Sequence, residues 1–204
     1  LRRQKKRAFA FSEYPVPKVK LEEVAPCFKM TRYGPSPDSE VRFIGGEGVV
    51  ASLSDRESWV MAALAKNVKR VFEFGTCSGK TAHVFAQNAA PDSEIFTLTL
   101  HPDDLAATEF GLGDDKEHRD IAVAESSFET FYYNGQPSER HIRQIFSDSK
   151  SYDEEPLRGS VDLIFVDGAH TRSYVESDTR KALNMLTDDG VILWHDYKPD
   201  APDV

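Results

Sequence analysis

The sequence has few cysteines and no long apolar run. Its two cysteines, Cys27 and Cys77, cannot supply a disulfide framework, and such scarcity is typical of a reducing compartment. No apolar stretch of the printed sequence approaches the roughly 20 residues that a membrane helix needs, and no secretory signal pattern occurs in it. We therefore predict a cytoplasmic protein that has no membrane among its partners.

Basic residues are also scarce relative to acidic ones. The 204 residues include 25 Lys and Arg against 34 Asp and Glu, a formal net charge of −9. This balance disfavours general nucleic-acid binding, which depends on basic surfaces. The run Arg2–Arg7 is a local exception, and we interpret it as a solvated basic arm. Nucleic acid is therefore not an expected partner.

The chain is long enough for one domain with a substantial core. Residues 1–50 are rich in proline and show no sustained periodicity, which predicts an irregular N-terminal arm or lid. Residues 51–204 carry the periodic segments and are predicted to form the globular domain. Because the sequence starts at Leu1 and stops just beyond a predicted strand, we expect a piece of a longer protein, with a domain that is incomplete at its carboxyl end.

Short apolar, β-branched runs alternate with helical patterns along residues 51–204. Ser54–Glu57 has the sequence of a capping box, which predicts the start of a helix. Buried strands are predicted at 70–74, Ile95–Leu100, Ile142–Phe146, Val161–Val166 and Val191–Trp194. This alternation predicts an α/β fold, a doubly wound, mostly parallel, Rossmann-like sheet with flanking helices.

Two helices of this domain and one long gap complete the prediction. A helix is predicted from Thr81 to Asn88, before Pro91. A later amphipathic helix is predicted from an apolar stripe and is expected to end at Asp188-Asp189-Gly190. The members of that stripe are Val175, Thr179, Ala182, Leu183 and Leu186. Residues 101–140 show no clear pattern.

The first strand runs into a glycine-containing loop, Glu73-Phe74-Gly75-Thr76-Cys77-Ser78-Gly79. Glycines there permit a tight turn and a close approach of the backbone to a ligand. The dinucleotide pattern G-x-G-x-x-G fails because positions 77 and 80 are Cys and Lys. A P-loop would need glycine at position 74, which is Phe, although Gly79-Lys80-Thr81 matches its end. A plain strand-to-helix turn and a cofactor loop of the form acid-x-Gly-x-x-x-Gly remain as alternatives.

Polar side chains also follow the fourth and fifth predicted strands. Asp167 ends the fourth, with His170 three residues later, and His195-Asp196 ends the fifth. The carboxyl ends of parallel strands open at one edge of the sheet, where α/β proteins bind ligands, so these side chains should face one crevice. Two carboxylates and an imidazole suit Mg²⁺, Mn²⁺ or a similar cation better than structural zinc. His195-Asp196 would otherwise form a hydrogen-bonded pair or a base dyad without metal.

These motifs together resemble the class I S-adenosylmethionine-dependent methyltransferases over about residues 50–197. The loop at Glu73–Gly79 resembles their cofactor loop. The two strand ends are similar to those of the metal-dependent small-molecule O-methyltransferases, of the catechol and macrocin types. The resemblance implies a cation site at Asp167, His195 and Asp196, with Asp167 taking part in catalysis. His170 stands where the catechol enzymes carry a general base.

The resemblance also implies a cofactor site. Its predicted members, from the loop and the strand ends, are Glu73, Gly75, Thr76, Ser78, Gly79, Thr99 and Asp148. Ser147-Asp148-Ser149 resembles the Gly-Asp-Ser of the family, whose Asp contacts the adenine amino group. The second strand lacks the acid that usually grips the ribose, so we expect Thr99, His101 or Asp103-Asp104 to replace it.

The predicted function is methyl transfer from S-adenosylmethionine to a hydroxyl group of a small molecule or sugar, assisted by a divalent cation such as Mg²⁺ or Mn²⁺. Two alternatives stay open, a nucleotide-binding ATPase of the P-loop type and a methyltransferase-fold binding protein without catalysis. The sixth and seventh strands that complete the family's sheet are not visible after Asp196. An exposed edge of that kind favours pairing with another chain, so homo-oligomers are an expected form.

Overall fold

A five-stranded parallel sheet organises the chain, of which the computed structural model describes residues 19–45, 53–107 and 116–197. A small antiparallel ribbon, β1 (Met30–Thr31) and β2 (Gly34–Pro35), precedes the sheet. The sheet strands are β3 (Arg70–Phe74), β4 (Glu94–Thr99), β5 (Ile142–Phe146), β6 (Val161–Val166) and β7 (Leu186–Trp194). They lie in the order β5-β4-β3-β6-β7, and all neighbouring pairs are parallel. The chain thus leaves β3 in one direction and later returns to its other side at β6. Such a switch in strand order opens a crevice at the carboxyl ends of the strands.

Helices flank the sheet. They are α1 (Leu21–Val24), α2 (Asp55–Ala65), α3 (Lys80–Asn88), α4 (Lys116–Glu125) and α5 (Arg172–Met185). The predicted capping box is confirmed at the start of α2, where the Ser54 side chain accepts from the Glu57 amide and Glu57 Oε2 accepts from the Ser54 amide at 2.8 Å. Among the described residues, no helix has the length and apolarity to cross a membrane.

Two hydrophobic clusters lie on opposite faces of the sheet. Successive residues of a strand point to opposite faces, and β6 shows this directly, since Leu163 and Phe165 join one cluster while Ile164 and Val166 join the other. Residues of α2 and α3 complete the first cluster, and Ala182 and Met185 of α5 complete the second. Helices therefore cover both faces, and the predicted doubly wound, Rossmann-like sheet is confirmed.

The phase of the α5 stripe differs from the prediction. The buried residues of α5 are Tyr174, Asp178, Ala182 and Met185, whereas Leu183 is 60% exposed. The period is helical as expected, but the buried face is shifted by about one residue, because it includes the polar side chains of Tyr174 and Asp178. The predicted stripe is therefore right at Ala182, which is buried, and wrong at Leu183.

The junction between α5 and β7 also differs from the prediction. The helix ends at Met185 and the strand begins at Leu186, so Asp188-Asp189-Gly190 lies within the bounds of β7. Val161 pairs with Leu186 while Leu163 pairs with Val191, so the register shifts between these pairs. The turn residues therefore form an irregularity inside the strand instead of a separate loop.

The described part of the predicted N-terminal arm, residues 19–45, packs against the domain. Lys66 Nζ donates to the carbonyl oxygens of Asp38 and Glu40 at 2.7 and 2.9 Å, and Trp59 Nε1 donates to that of Ser39 at 2.9 Å. These bonds hold the segment along α2. The run Arg2–Arg7 lies outside the described residues, and the division of the chain at residue 50 stays a prediction.

The loop after β3 lies directly against the end of β6. Gly75 has φ +93°, and a Cβ atom on it would lie 2.1 Å from the carbonyl oxygen of Asp167. The Gly75 amide donates to Leu98 O at 2.8 Å, and the Asp167 amide donates to Phe74 O at 3.0 Å. Residue 75 must therefore be glycine for a reason internal to the fold. The backbone just past β6 fills the space that a side chain at position 75 would occupy.

We expect Gly75→Ala to lower the free energy of unfolding by about 2–5 kcal/mol, from left-handed strain together with overlap against backbone. Gly135→Ala is the matched control, because Gly135 has φ +75° and nothing within 4 Å of its Cβ position. That control should lose only the strain, about 1–2 kcal/mol. Urea unfolding of both variants measures the difference, and equal losses would contradict the close contact at Gly75.

Candidate active site

The carboxyl ends of three adjacent strands bring the predicted polar residues together. The ladder continues one residue past each strand, since the Asp167 amide donates to Phe74 O at 3.0 Å and the His195 amide donates to Val166 O at 3.1 Å. Gly75, Asp167 and His195 are thus neighbours because each is the first residue after its strand. The sequence predicted this convergence, and the structure shows it.

Asp167, His170 and His195 form a compact cluster. Asp167 Oδ1 lies 3.3 Å from His170 Nε2 and 3.0 Å from His195 Nδ1. Their three ligand-type atoms all lie within 4.8 Å of one another. The short distance from His195 Nδ1 to Asp167 is an ion-pair distance without the alignment of a hydrogen bond, so this buried nitrogen has no hydrogen-bond partner among the described residues. A cluster of this kind can hold a proton or a cation.

Asp196, predicted as a ligand, lies at the margin of the cluster. Its Oδ2 atom is 3.6 Å from His195 Nδ1 and 3.9 Å from His170 Nε2. Its backbone has φ +55°, a left-handed conformation that Asp tolerates better than most residues and that turns the chain after β7. The compact set therefore contains His170, which was predicted as a base, in place of Asp196.

Two further acids surround the histidines, and sequence analysis did not assign either to the site. Glu57, the capping residue of α2, places Oε1 3.7 Å from His195 Nε2. Glu125, the last residue of α4, lines the adjacent cleft. The capping pattern identified Glu57 as a helix cap but did not indicate that it lies beside His195. No pattern in residues 101–140 pointed to Glu125. The apolar residues Ile121 and Val123 of its helix are exposed, so they do not form the buried stripe by which a helix is recognised.

The acids around the cluster determine how its histidines titrate. Burial alone would lower the pKa of His195, but contact with Asp167 and the charges of Asp196 and Glu57 outweigh burial and raise it to about 9. The hydrogen bond with Asp167 likewise raises the pKa of His170 above its ordinary value, against the effect of burial. Burial raises the pKa of Glu125, and the two histidines partly offset that effect. Without a bound cation, His195 therefore holds a proton at neutral pH.

A cleft opens beside this cluster, along the ends of β4, β5 and β6. Its cavity volume is about 70 Å³, below the usual range of 300–1,000 Å³ for small-molecule sites. Of the predicted site residues it is lined by Gly75, Thr99, Asp148 and Asp167. Thr99 lies at the tip of β4, where the ribose partner was expected, while His101 and Asp103 do not line the cleft.

The rest of the predicted cofactor loop lies beneath the cleft instead of on its wall. Glu73 is fully buried, its Oε2 accepts from Thr97 Oγ1 at 2.5 Å, and burial raises its pKa to about 8. Thr76 is 2% exposed and its hydroxyl lies 2.7 Å from that of Thr97. Among the described residues Glu73 Oε1 has no partner, and neither Glu73 nor Thr76 lines the cleft.

The end of the loop is held by protein contacts as well. A Cβ atom on Gly79 would lie 2.8 Å from the side chains of Phe131 and Tyr133. Ser78 accepts from the Tyr132 amide through its carbonyl at 2.8 Å and does not line the cleft. Cys77, which sequence analysis left unassigned, does line the cleft, with φ +44°. The loop therefore presents Gly75 and Cys77 to the cleft.

The raised pKa of His195 links stability to pH. Its protonated form stabilises the fold below about pH 6.5, its ordinary pKa, and this contribution is lost as the pH rises through about 9. With chelator present, Asp167→Asn should lower the pKa of His195 by one unit or more and flatten the stability change between pH 6.5 and 9. NMR titration of the imidazole and urea unfolding measure the two effects. The exposed acid Asp188 gives the control Asp188→Asn, and an unchanged His195 titration in Asp167→Asn would refute the pairing.

Comparisons with known proteins give a match over the same part of the chain. A family model described as a methyltransferase domain matches residues 72–197, which is more than half of the sequence. No curated protein sequence matches the chain. Among solved structures, a Corynebacterium glutamicum protein is 10% identical with a TM-score of 0.50, over 96% of this chain and 74% of its own. This likeness shows a shared fold.

Two solved methyltransferases are also similar. The S-adenosylhomocysteine-bound methyltransferase PaMTH1 of Podospora anserina is 22% identical, over 95% of this chain and 69% of its own, with a TM-score of 0.46. The O-methyltransferase TomG of Streptomyces achromogenes, solved with S-adenosylmethionine, is 16% identical, over 97% and 79% of the two chains, with a TM-score of 0.47. From the family match over the strands, loops and cluster described above, this chain belongs to the methyltransferase family.

Proposed function

We propose that the protein transfers a methyl group from S-adenosylmethionine to a hydroxyl group of a small molecule or sugar. The observation that carries the proposal is the cluster of Asp167, His170 and His195, whose Asp167 also lines the cleft at the carboxyl ends of the strands. A methyl acceptor that is a hydroxyl must lose a proton, and this cluster can receive one beside the place where the cofactor would lie. The family match supports methyl transfer, and the cluster supports oxygen as the acceptor atom.

The lining of the cleft suits the proposed cofactor in polarity and charge. One wall is apolar, formed by Phe74, Leu98 and Leu100, and can take the adenine ring. The acids Asp148, Asp167 and Glu125 line the rest, so a cationic ligand would enter a negative environment. S-adenosylmethionine carries a sulfonium cation and supplies an activated methyl group. In this proposal the remaining residues of the loop hold its shape beneath the cleft. They are Glu73, Thr76, Ser78 and Gly79.

The cluster also fits a divalent cation. It offers one carboxylate and two imidazoles, and His195 Nδ1 is a buried nitrogen whose missing partner a cation could replace. A cation held there would lower the pKa of an acceptor hydroxyl and orient its oxygen. We propose Asp167, His170 and His195 as its ligands, with Asp196 at their margin. Imidazole ligands favour metals such as Fe²⁺, Ni²⁺ or Zn²⁺ over Mg²⁺.

Without a cation, the same residues form a general base. His170 Nε2 bonds Asp167 Oδ1 at 3.3 Å, so the carboxylate orients the ring and stabilises its protonated form. His170 would then take the proton of the acceptor hydroxyl while the methyl group transfers. A nitrogen that coordinates a cation cannot accept a proton as well, so the two roles of His170 exclude each other and can be separated by experiment.

The P-loop alternative has less support. Phe74, which stands where a P-loop needs glycine, is fully buried in the core. Lys80 directs Nζ to the carbonyl of Gly45 at 2.9 Å, away from a phosphate-binding position. Calorimetric titration with S-adenosylmethionine and with ATP, each with and without Mg²⁺, tests the proposal. Binding of S-adenosylmethionine alone supports it, and binding of ATP alone would overturn it. Binding of S-adenosylmethionine without methyl transfer to any hydroxyl acceptor would favour a binding protein.

We expect chelation to abolish methyl transfer without unfolding the protein, and an added divalent cation to restore it, because the cation would position the acceptor oxygen. Asp167→Asn should likewise abolish transfer while S-adenosylmethionine still binds. Asp188→Asn is the control and should leave activity unchanged. Activity is measured as S-adenosylhomocysteine release after treatment with chelator. Full activity in chelator, from protein shown to contain no metal, would remove the cation from the proposal.

If His170 is the base, His170→Ala should lower turnover by about 10²–10⁴-fold. The base acts when deprotonated, so wild-type turnover should rise with pH through a midpoint above the ordinary value of about 6.5, because Asp167 raises the pKa of His170. That acidic limb should disappear in His170→Ala. A pH–rate profile at saturating cofactor measures both. Loss of metal binding in His170→Ala, with the acidic limb retained, would assign His170 to the cation instead.

A further inference from the structure

Asp178 is a buried acid at the cleft that the proposed chemistry does not use. It lies in the second turn of α5, is 2% exposed and lines the cleft. Ser149 hydrogen-bonds its carboxylate, but Oδ1 has no hydrogen-bond partner among the described residues. Leaving a buried carboxylate oxygen without a donor costs at least about 1–3 kcal/mol, so such an atom in a binding cleft calls for a ligand.

The surroundings of Asp178 place it at one end of the cleft. A Cβ atom on Gly168 would lie 3.3 Å from Asp178 Oδ2, so the carboxylate is next to the loop after β6. Its partner Ser149 belongs to the loop after β5, and both loops line the cleft. Asp178 therefore lies between the two loops, at the end where Asp148 was predicted to meet the adenine ring.

Asp148 is already engaged by the protein at both oxygens. Its Oδ1 accepts from the Lys150 amide at 2.8 Å, and its Oδ2 accepts from the Tyr174 hydroxyl at 3.0 Å. Tyr174 precedes Asp178 by one helical turn on the same buried face of α5. Asp148 thus fastens the loop after β5 to the helix, and Asp178 Oδ1 is an acceptor at this end of the cleft with no donor in the described part of the chain.

We propose that Asp178 recognises the adenine of the cofactor, with Oδ1 accepting a hydrogen bond from the exocyclic amino group. This inference rests on the proposed use of S-adenosylmethionine, and it replaces Asp148 by Asp178 as the residue that distinguishes an amino group from an oxygen at that position of the purine. Asp148 then acts through Tyr174 and the loop.

The charges near Asp178 are consistent with a ligand donor. The pKa of Asp178 is raised to about 7, mainly by burial and further by the charge of Asp148. The hydrogen bond from Ser149 and the charges of Lys181 and Lys150 partly offset this increase. Lys181 Nζ lies 3.1 Å from Glu154, and Lys150 Nζ lies 3.9 Å from the centre of the Tyr174 ring. Neither cation satisfies Oδ1. An amino group from a ligand would stabilise the ionised form of the carboxylate and donate a hydrogen bond to Oδ1.

The test compares S-adenosylhomocysteine with S-inosylhomocysteine, in which oxygen replaces the amino group. Affinities are measured by calorimetry at pH 8, where the carboxylate is ionised and can only accept. The wild-type protein should prefer the adenosyl ligand by about 10- to 100-fold, the usual effect of one hydrogen bond to a charged group. Asp178→Asn should reduce this preference to within about threefold. Asp148→Asn should weaken both ligands equally, and Asp188→Asn should change neither.

Each outcome separates the inference from the function on which it rests. A folded Asp178→Asn protein that keeps the wild-type preference overturns the role of Asp178, and loss of the preference in Asp148→Asn would return it to Asp148. A wild-type protein that binds neither ligand overturns the proposed function, and this inference with it. Should Asp178→Asn fail to fold, a crystal structure of the wild type with S-adenosylhomocysteine decides. The amino nitrogen within about 3.2 Å of Oδ1 supports the proposal, and a water molecule in that place overturns it.

Discussion

The close contact between residue 75 and the backbone of Asp167 determines where everything else at the site can lie. With φ +93°, Gly75 lets the loop after β3 pass so close to the end of β6 that no side chain fits between them. That approach keeps the ladder continuous past the strand ends, which brings Asp167 beside His195. The glycines of this loop are usually attributed to ligand access. In this protein Gly75 is required first by the sheet and Gly79 by the side chains of Phe131 and Tyr133, and the cleft lies along what remains open beside them.

Electrostatics then determine the state of the site. Two histidines face four acids, Asp167, Asp196, Glu57 and Glu125, within a half-buried region. The excess of negative charge raises the pKa of both imidazoles when nothing else is bound. A cation would compete with protons for the same nitrogens, so metal affinity should strengthen as the pH rises. The same excess attracts a cationic ligand to the cleft, because Asp167 and Glu125 lie on its wall.

The strands and their ends could be predicted from the sequence because buried parallel strands are apolar runs and polar residues follow them. This was enough to bring Asp167, His170 and His195 to one edge. The shape of the loop could not be predicted, because Glu73 and Thr76 look like ligand-facing residues until the packing of Thr97 beneath them is known. Asp178 was missed for a related reason, since a helical pattern assigns an acid to solvent. Glu125 belongs to a helix whose side chains give no periodic signal.

Glu57 has a place both in a helix terminus and in the surroundings of His195. One of its carboxylate oxygens closes the capping box of α2 through Ser54, and the other lies 3.7 Å from an imidazole nitrogen of the site. The side chain must therefore be long enough for the cap and charged for the histidine. Few amino acids satisfy both demands, so this position tolerates little drift in sequence. Any attempt to engineer a more stable α2 by exchanging its cap would also alter the proton affinity of the site, and stability and chemistry could not be optimised independently there.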